Sequence, residues 1–264
     1  MSFSDKYIIE KELGSGAYGE VLLVRDSQGN VRVAKIFKNG SKEDIEREFG
    51  VVADLDNAYV PKYYELYTNE TYNNRKVYII VMEYVRGMDM SKIIEYTIVF
   101  DNSTMLKFAK RIFSILAYIH SHDIVHRDIK LENIIFSDDH PIYLIDYGFA
   151  CYTGSKAFKQ KYLCEKKTKG SLMYVSPEIL DNKFKDDLEL LKKADIWAFG
   201  VSLYVIRYFS YPYDATDIND LKSSIKFTDV SYEYDDLLDT IIQSCLTKDA
   251  RERPSAQEII SMIG

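Results

Sequence analysis

Residues 124–148 read IVHRDIKLENIIFSDDHPIYLIDYG, and this stretch decides the fold. Two short apolar pieces, Asn133–Phe136 and Ile142–Ile145, flank a tight turn at Ser137–Pro141 and predict a small β-hairpin. Polar groups gather at its ends. His126, Arg127, Asp128, Lys130 and Asn133 come before the first piece, and Asp146, Tyr147 and Gly148 follow the second. An acid, a cation, an amide and a second acid at one hairpin suit chemistry on a highly charged substrate with metal ions. They do not suit a hydrophobic core.

Upstream, Tyr7–Leu13 alternates loosely and predicts a strand, followed by Gly14-Ser-Gly16-Ala-Tyr-Gly19 and a second strand, Val21–Arg25. Glycines let the backbone approach a ligand closely, and exposed N–H groups there can contact phosphate oxygens. The same pattern marks dinucleotide-binding folds, but there it runs into a helix. Here β-branched residues follow, so a glycine-rich hairpin is preferred. Val31–Phe37 reads as a third strand carrying Lys35 between apolar neighbours. Ser41-Lys-Glu-Asp44 has capping-box spacing and should open a helix bearing Glu43, Glu46 and Glu48. Tyr63–Tyr67 and Lys76–Tyr84 read as further strands. From Ser91 the character changes. Over Thr104–Ser121, Met105, Phe108, Ala109, Ile112, Leu116 and Ile119 recur at a helical period.

The pattern predicts an α+β fold. One domain, 1–264, has a small β-rich part at about 1–85 with one main helix, and a larger, mostly helical part at about 86–264. Ligands commonly bind in clefts between such lobes. The chain is 47% hydrophobic and 28% charged, an ordinary globular composition. Its net charge of -7 argues against nonspecific binding to nucleic acid or anionic membrane. Cys151, Cys164 and Cys245 are few, odd in number and without CxxC spacing. That argues against a disulfide framework or a zinc site and fits a reducing intracellular compartment, cytoplasmic or nuclear. His120 and His122 read as the end of the helix that leads into the hairpin. The N-terminus lacks the form of a signal peptide. The apolar run Ile196–Ile206 is shorter than the ~20 residues a bilayer needs, so no membrane segment is expected. The oligomeric state is left open.

The opening stretch resembles the protein kinase family. His126-Arg127-Asp128, Lys130 and Asn133 match H-R-D-x-K-x-x-N, and Asp146-Tyr147-Gly148 is a variant of D-F-G. Val33-Ala34-Lys35 resembles V-A-I-K, Gly170–Glu178 resembles G-T-x-x-Y-x-A-P-E, Asp195–Gly200 resembles D-x-W-x-x-G, and Arg251–Pro254 resembles R-x-R-P. Ser255-Ala-Gln-Glu258 is a capping box for a last helix. The resemblance covers nearly the whole chain, and no appended regulatory domain is expected.

The resemblance implies ATP and Mg2+ as cofactors and protein substrates as partners. Gly14, Gly16 and Gly19 would cover the phosphates. Lys35, held by Glu48, would grip them. Val21 and Ala34 would cover the adenine, with Met82 beside it and backbone groups of Glu83 and Val85 at its edge. Ile135 is counted among the nucleotide contacts, and Asp89 falls near ribose and substrate. Asn133 and Asp146 would bind magnesium. Asp128 would orient the substrate hydroxyl and take its proton, and Lys130 would neutralise the transferring group. Lys130 and Ser171 favour serine/threonine over tyrosine transfer; a dual-specificity or tyrosine kinase is the alternative. A scaffold on the same fold typically lacks the equivalents of Lys35, Asp128 or Asp146, and all three are present. Asp89, Glu132 and Asp214 suggest a preference for basic residues near the phosphosite. Thr168, then Thr153 and Ser155, are candidates for a regulatory phosphate that pairs with Arg127. Arg253 is expected to pair with Glu178, Asp195 to brace the loop backbone, and the Tyr147 hydroxyl to want a partner.

Overall fold

The computed structural model describes residues 2–16, 19–53, 55–137, 142–154, 162–165, 169–185 and 187–264. The chain divides into two compact units, 1–86 and 87–264.

In the first unit a short helix α1 (Phe3–Lys6) leads into β1 (Tyr7–Gly16), β2 (Gly19–Asp26) and β3 (Val31–Phe37). Helix α2 (Lys42–Val52), β4 (Tyr63–Tyr72) and β5 (Arg75–Glu83) follow. The strands form one antiparallel sheet in the order β1-β2-β3-β5-β4. Ser41 caps α2 by accepting the Asp44 N–H at 3.1 Å, as its spacing predicts. The β4–β5 hairpin runs further than the apolar pattern suggested, because Asn73 and Asn74 both adopt positive φ, 50° and 61°. Two such residues make the turn whose twist suits antiparallel strands. Phe3, Tyr7, Leu22, Val24, Ala34, Ile36, Val77, Ile79 and Val81 pack into a buried cluster.

The second unit contains β6 (Met88–Asp89), α3 (Met90–Glu95), α4 (Asn102–Ser121), β7 (Ile124–Val125), β8 (Ile134–Phe136), β9 (Ile142–Leu144) and β10 (Cys151–Tyr152). Helices α5 (Pro177–Leu180), α6 (Leu190–Tyr208), α7 (Ile218–Phe227), α8 (Leu237–Cys245) and α9 (Ala256–Ile263) complete it. All six apolar positions expected on α4 are buried. The hairpin is β8–β9, with Ile134 opposite Leu144, and β6 pairs on its other edge. Ile196–Ile206 lies within α6, where each of those residues is buried. Among the described residues no helix is long and apolar enough to cross a membrane. The α+β class expected from the sequence is the one observed.

The cysteine reading needs correction. Cys151 and Cys164 are joined by a disulfide, their Cα atoms 4.9 Å apart, and Cys245 is free and buried. The spacing carried no sign of the pair. It is created by the chain doubling back: β10 pairs with β7, and the Cys164 N–H then donates to the Tyr152 carbonyl at 2.9 Å. His120 and His122 are separately engaged at the end of α4, one with Asp195 and the other with the Tyr118 carbonyl.

Candidate active site

In the N-terminal unit, Lys35 and Glu48 form an ion pair. The ammonium Nζ donates to Oε1 and Oε2 at 2.8 and 3.1 Å. Glu48 is 2% exposed, and Tyr63 Oη donates to its Oε1 at 3.4 Å. Of the three glutamates on α2, Glu48 is therefore the partner. Lys35 also lies 5.1 Å above the Phe37 ring. Lys35 is the more accessible partner of this pair, its side chain 19% exposed against 3% for Glu48, and is the one an anionic ligand would meet.

Strand alternation corrects the neighbour of Lys35. Successive side chains point to opposite faces of a sheet, and directly opposite residues share a face. Val21, Lys35 and Ile80 are in register, as are Leu23, Val33 and Met82. Val33, Val21, Lys35 and Met82 therefore share a face. Ala34 belongs to the other face, fully buried beside Leu22, Ile36 and Val81. It does not sit where the sequence reading placed it. In V-A-K the lysine follows the alanine directly, so it is Val33, two residues before Lys35, that accompanies Val21.

Gly14 and Gly16 end β1, and Gly19 opens β2 opposite Gly16. Gly19 is obligatory: its φ is 153°, and a Cβ there would lie 1.8 Å from the Ile36 carbonyl oxygen. Among the described residues, nothing lies within 4 Å of where a Cβ would stand at Gly14 or Gly16. The Glu83 N–H donates to the Lys62 carbonyl at 2.7 Å, and Val85 follows β5 half-buried, outside regular structure.

In the C-terminal unit the Asp128 carboxylate, 8% exposed, is surrounded by donors. Lys130 Nζ lies 2.9 Å from Oδ2, Asn133 Nδ2 donates to Oδ2 at 3.2 Å, and Ser171 Oγ donates to Oδ1 at 3.3 Å. Burial works against the charge on Lys130. The Asp128 hydrogen bond and charge, with Glu132 and Asp146, outweigh it and raise the lysine's pKa. Asn133 also donates to the Asp128 carbonyl at 2.8 Å. Its amide nitrogen is thus committed, and its oxygen remains as an acceptor. The Asn133 carbonyl takes the Ile145 N–H at 2.9 Å, which brings exposed Asp146 to the same end of the hairpin. An amide oxygen and a carboxylate are hard donors suited to magnesium.

The loop holding Asp128 is strained and braced. Arg127 and Asp146 have φ of 67° and 60°, a region non-glycine residues seldom occupy. The Asp195 carboxylate accepts the His126 and Arg127 N–H groups, each at 2.9 Å. His126 is fully buried and meets the Tyr147 ring edge-on, with centroids 4.7 Å apart. Further along, Arg253 forms a buried, forked pair with Glu178 at 2.7 and 3.1 Å, as expected.

Asp89 has a local role that the sequence reading did not include. It caps α3, accepting from Ser91 Oγ at 2.5 Å and the Lys92 N–H at 3.1 Å, and pairs with Lys92 Nζ. Burial would raise its pKa, but these bonds together hold it below the usual range. Ile135 pairs with Asp89 across β6–β8. Two close residues were missing from the set of site candidates. Gly170, at φ 101°, comes so near the loop that a Cβ would lie 2.7 Å from the Arg127 carbonyl oxygen. Ser171 then reaches Asp128 and Lys130. The Gly-Ser pair was visible in the sequence, but its contact with the loop was not. Thr168 and Ser155 lie outside the described residues. The Thr153 hydroxyl donates to the Asp123 carbonyl and to Glu189, an unfavourable setting for an added phosphate.

Comparison with known proteins follows the same lines. The family model described as "Protein kinase domain" matches residues 7–262. The chain belongs to the protein kinase family. "Calcium-dependent protein kinase 5" of Plasmodium berghei (strain Anka) is 33% identical over 97% of this chain and 44% of its own length. "CBL-interacting serine/threonine-protein kinase 13" of Arabidopsis thaliana is 32% identical over 81% of this chain and 41% of its own. This kinase chain thus spans less than half the length of these curated relatives.

Proposed function

We propose that the chain, as a single catalytic domain, transfers the γ-phosphate of ATP to serine or threonine hydroxyls of protein substrates. One observation carries the reading: Asp128, buried among Lys130, Asn133 and Ser171, is an ionic acceptor held ready on a braced loop. Phosphoryl transfer needs positioning and charge neutralisation more than covalent work by the protein. Asp128 orients the hydroxyl and takes its proton. Lys130, held cationic by Asp128, balances charge on the group in transit. Lys35, fixed by Glu48, grips phosphate oxygens, and the backbone at Gly14, Gly16 and Gly19 covers them. Val21, Val33 and Met82 offer the apolar face for the base, with Glu83 and Val85 at its edge. The Asn133 amide oxygen and the Asp146 carboxylate would hold Mg2+, which supplies charge neutralisation when bound with ATP. Dependence on ATP implies an intracellular compartment.

The relatives' names and the Lys130–Ser171 arrangement support serine/threonine specificity. Glu132 and Asp214 are exposed acids and support a preference for basic residues near the phosphosite, which a peptide array lacking Arg/Lys enrichment would contradict. The main test incubates purified protein with magnesium, labelled ATP and a basic generic substrate, beside Asp128→Asn and Lys35→Met. Label on serine or threonine, lost in both variants, is expected. No label, with ATP still raising the melting temperature, would make the chain a nucleotide-binding module instead.

A further inference from the structure

The Cys151–Cys164 disulfide lies against the loop that carries Asp128, and no part of the phosphoryl-transfer reading uses it. We propose that this pair is a reversible thiol–disulfide modification site that controls turnover, with the cross-linked form the competent one. The proposal rests on the assignment of Asp128 above.

The position of the bond carries the argument. Cys151 pairs with Val125 in the β10–β7 ladder, and Val125 directly precedes His126-Arg127-Asp128. Arg127 Nη1 reaches Cys151 Sγ at 3.3 Å. On the other side, Cys164 is tied to Tyr152 by one backbone hydrogen bond, and Leu163 bridges Tyr152 in parallel. Both cysteines belong to a buried cluster with Val125, Ile179 and Phe184. The bond therefore fastens the chain near residue 164 to the strand that feeds the catalytic loop. Downstream of it, Gly170 touches the Arg127 carbonyl and Ser171 donates to Asp128. In the cross-linked form this whole arrangement is in place. Without the bond, the chain at 162–165 loses its covalent tie to β10, and the seat of Ser171 on Asp128 loosens.

A purely structural role explains the bond less well. Disulfides are essential mainly in small domains that lack an adequate core. This chain has an extensive core in each unit.

The chemistry balances through exchange. A dithiol reductant attacks the Cys164 sulfur, the more exposed of the two at 8% against 0%. The S–S bond breaks and Cys151 leaves as a thiolate beside the Arg127 guanidinium, which favours that leaving group. The reductant's second thiol then attacks the mixed disulfide and releases Cys164. Two electrons and two protons pass to the protein, and the reductant becomes a cyclic disulfide. Re-oxidation by a low-molecular-weight disulfide reverses this and yields two small thiols.

The test equilibrates the wild-type chain in buffers of graded dithiothreitol and oxidised dithiothreitol. Each sample is quenched by alkylation, the 151–164 pair is scored by mass spectrometry, and peptide phosphorylation is measured in parallel. Cys151→Ser/Cys164→Ser is assayed alongside. We expect kcat to fall about tenfold on reduction, the usual size of coupling between two sites, and to track the disulfide fraction. The double variant should show the low rate and ignore reductant. A disulfide that opens with kcat unchanged overturns the proposal, as does alkylation of both cysteines in fully oxidised protein. If no form turns over, the kinase reading is what fails. The switch is then judged by hydrogen exchange, which should rise at the Arg127 and Cys164 amides on reduction; equal protection in both forms would reject it.

Discussion

The Asp195 carboxylate accepts the backbone N–H of Arg127 at 2.9 Å, and Arg127 is held at a φ of 67°. The left-handed conformation costs on the order of 1–3 kcal/mol and persists only where the surroundings impose it. Asp195, 1% exposed, imposes it from the start of a buried helix, and it takes the His126 N–H and His120 Nε2 as well. Asp195→Ala leaves two loop N–H groups without their acceptor. We expect a loss of about 3 kcal/mol, given roughly 1.5–3 kcal/mol for each hydrogen bond to a charged group, and a fall in kcat of about 100-fold from the misplaced Asp128. Asn at this position keeps one oxygen and should fall between. Chemical denaturation and steady-state kinetics check both values. A variant of normal stability and normal kcat would show that the brace is unnecessary.

The Lys35–Glu48 pair predicts two different losses. Lys35→Met removes the phosphate-gripping cation and leaves the buried Glu48 without its partner, so both ATP-dependent stabilisation and turnover should fall. Glu48→Gln keeps the shape and leaves the lysine less firmly placed. Its kcat should drop about tenfold or more with smaller change in ATP affinity, because misplacement costs more in the transition state than in binding. Thermal shift with and without ATP, beside kinetics, separates the two. Equal effects from both variants would mean that Glu48 does more than position.

Ala34 and Val33 make a paired test of which residue lines the nucleotide face. Ala34→Leu inserts volume among Leu22, Ile36 and Val81, and overpacking of this kind costs about 1–3 kcal/mol. KM for ATP should hardly move. Val33→Phe should raise KM for ATP several-fold and affect stability less. The reverse outcome would place Ala34 back against the base.

Ala34 also shows what a sequence conceals. The motifs located Lys35, Asp128, Asn133 and Asp146 by spacing alone, and the helical period of α4 and the Ser41 and Ser255 caps were equally plain. Those signals are local. Choosing between Ala34 and Val33 required the parity of the strand, which a motif read as letters does not carry. The Cys151–Cys164 bond, the approach of Gly170 to Arg127 and the commitment of Asp89 to capping α3 each depend on where the chain returns in space. No spacing rule reports that.

Tyr147 replaces a phenylalanine in the family motif and is fully buried. Among the described residues its hydroxyl has no hydrogen-bond partner. Burial, with the charge of Asp195, drives its pKa far up, so the hydroxyl stays neutral at any working pH. Tyr147→Phe removes an unsatisfied polar atom and keeps the edge-on packing against His126. We expect a gain of about 1 kcal/mol with activity retained, read by denaturation and kinetics. A loss of stability would reveal a partner for the hydroxyl.

Lys248 gives a pH dependence whose sign can be worked out. Its ammonium donates to Tyr213 Oη at 2.8 Å and the Ile225 carbonyl at 2.6 Å, and it lies 4.1 Å from the Tyr213 ring centre. Burial dominates, opposed by Asp229 and reinforced by Arg253, and the pKa is pushed down to about 8 from an ordinary value of 10.5. Below pH 8 both folded and unfolded chains hold the proton, and the folded state carries the penalty of a half-buried charge. Between about 8 and 10.5 the folded state releases it first while the unfolded chain keeps it, so this group's contribution to stability rises with pH through that window and then levels off. Lys248→Met removes the titration. The melting temperature of the wild type, measured relative to that of the variant, should therefore increase from about pH 7.5 to about pH 10. Parallel curves across that range would mean that the amine titrates normally and that the Tyr213 and Ile225 contacts compensate its burial in full.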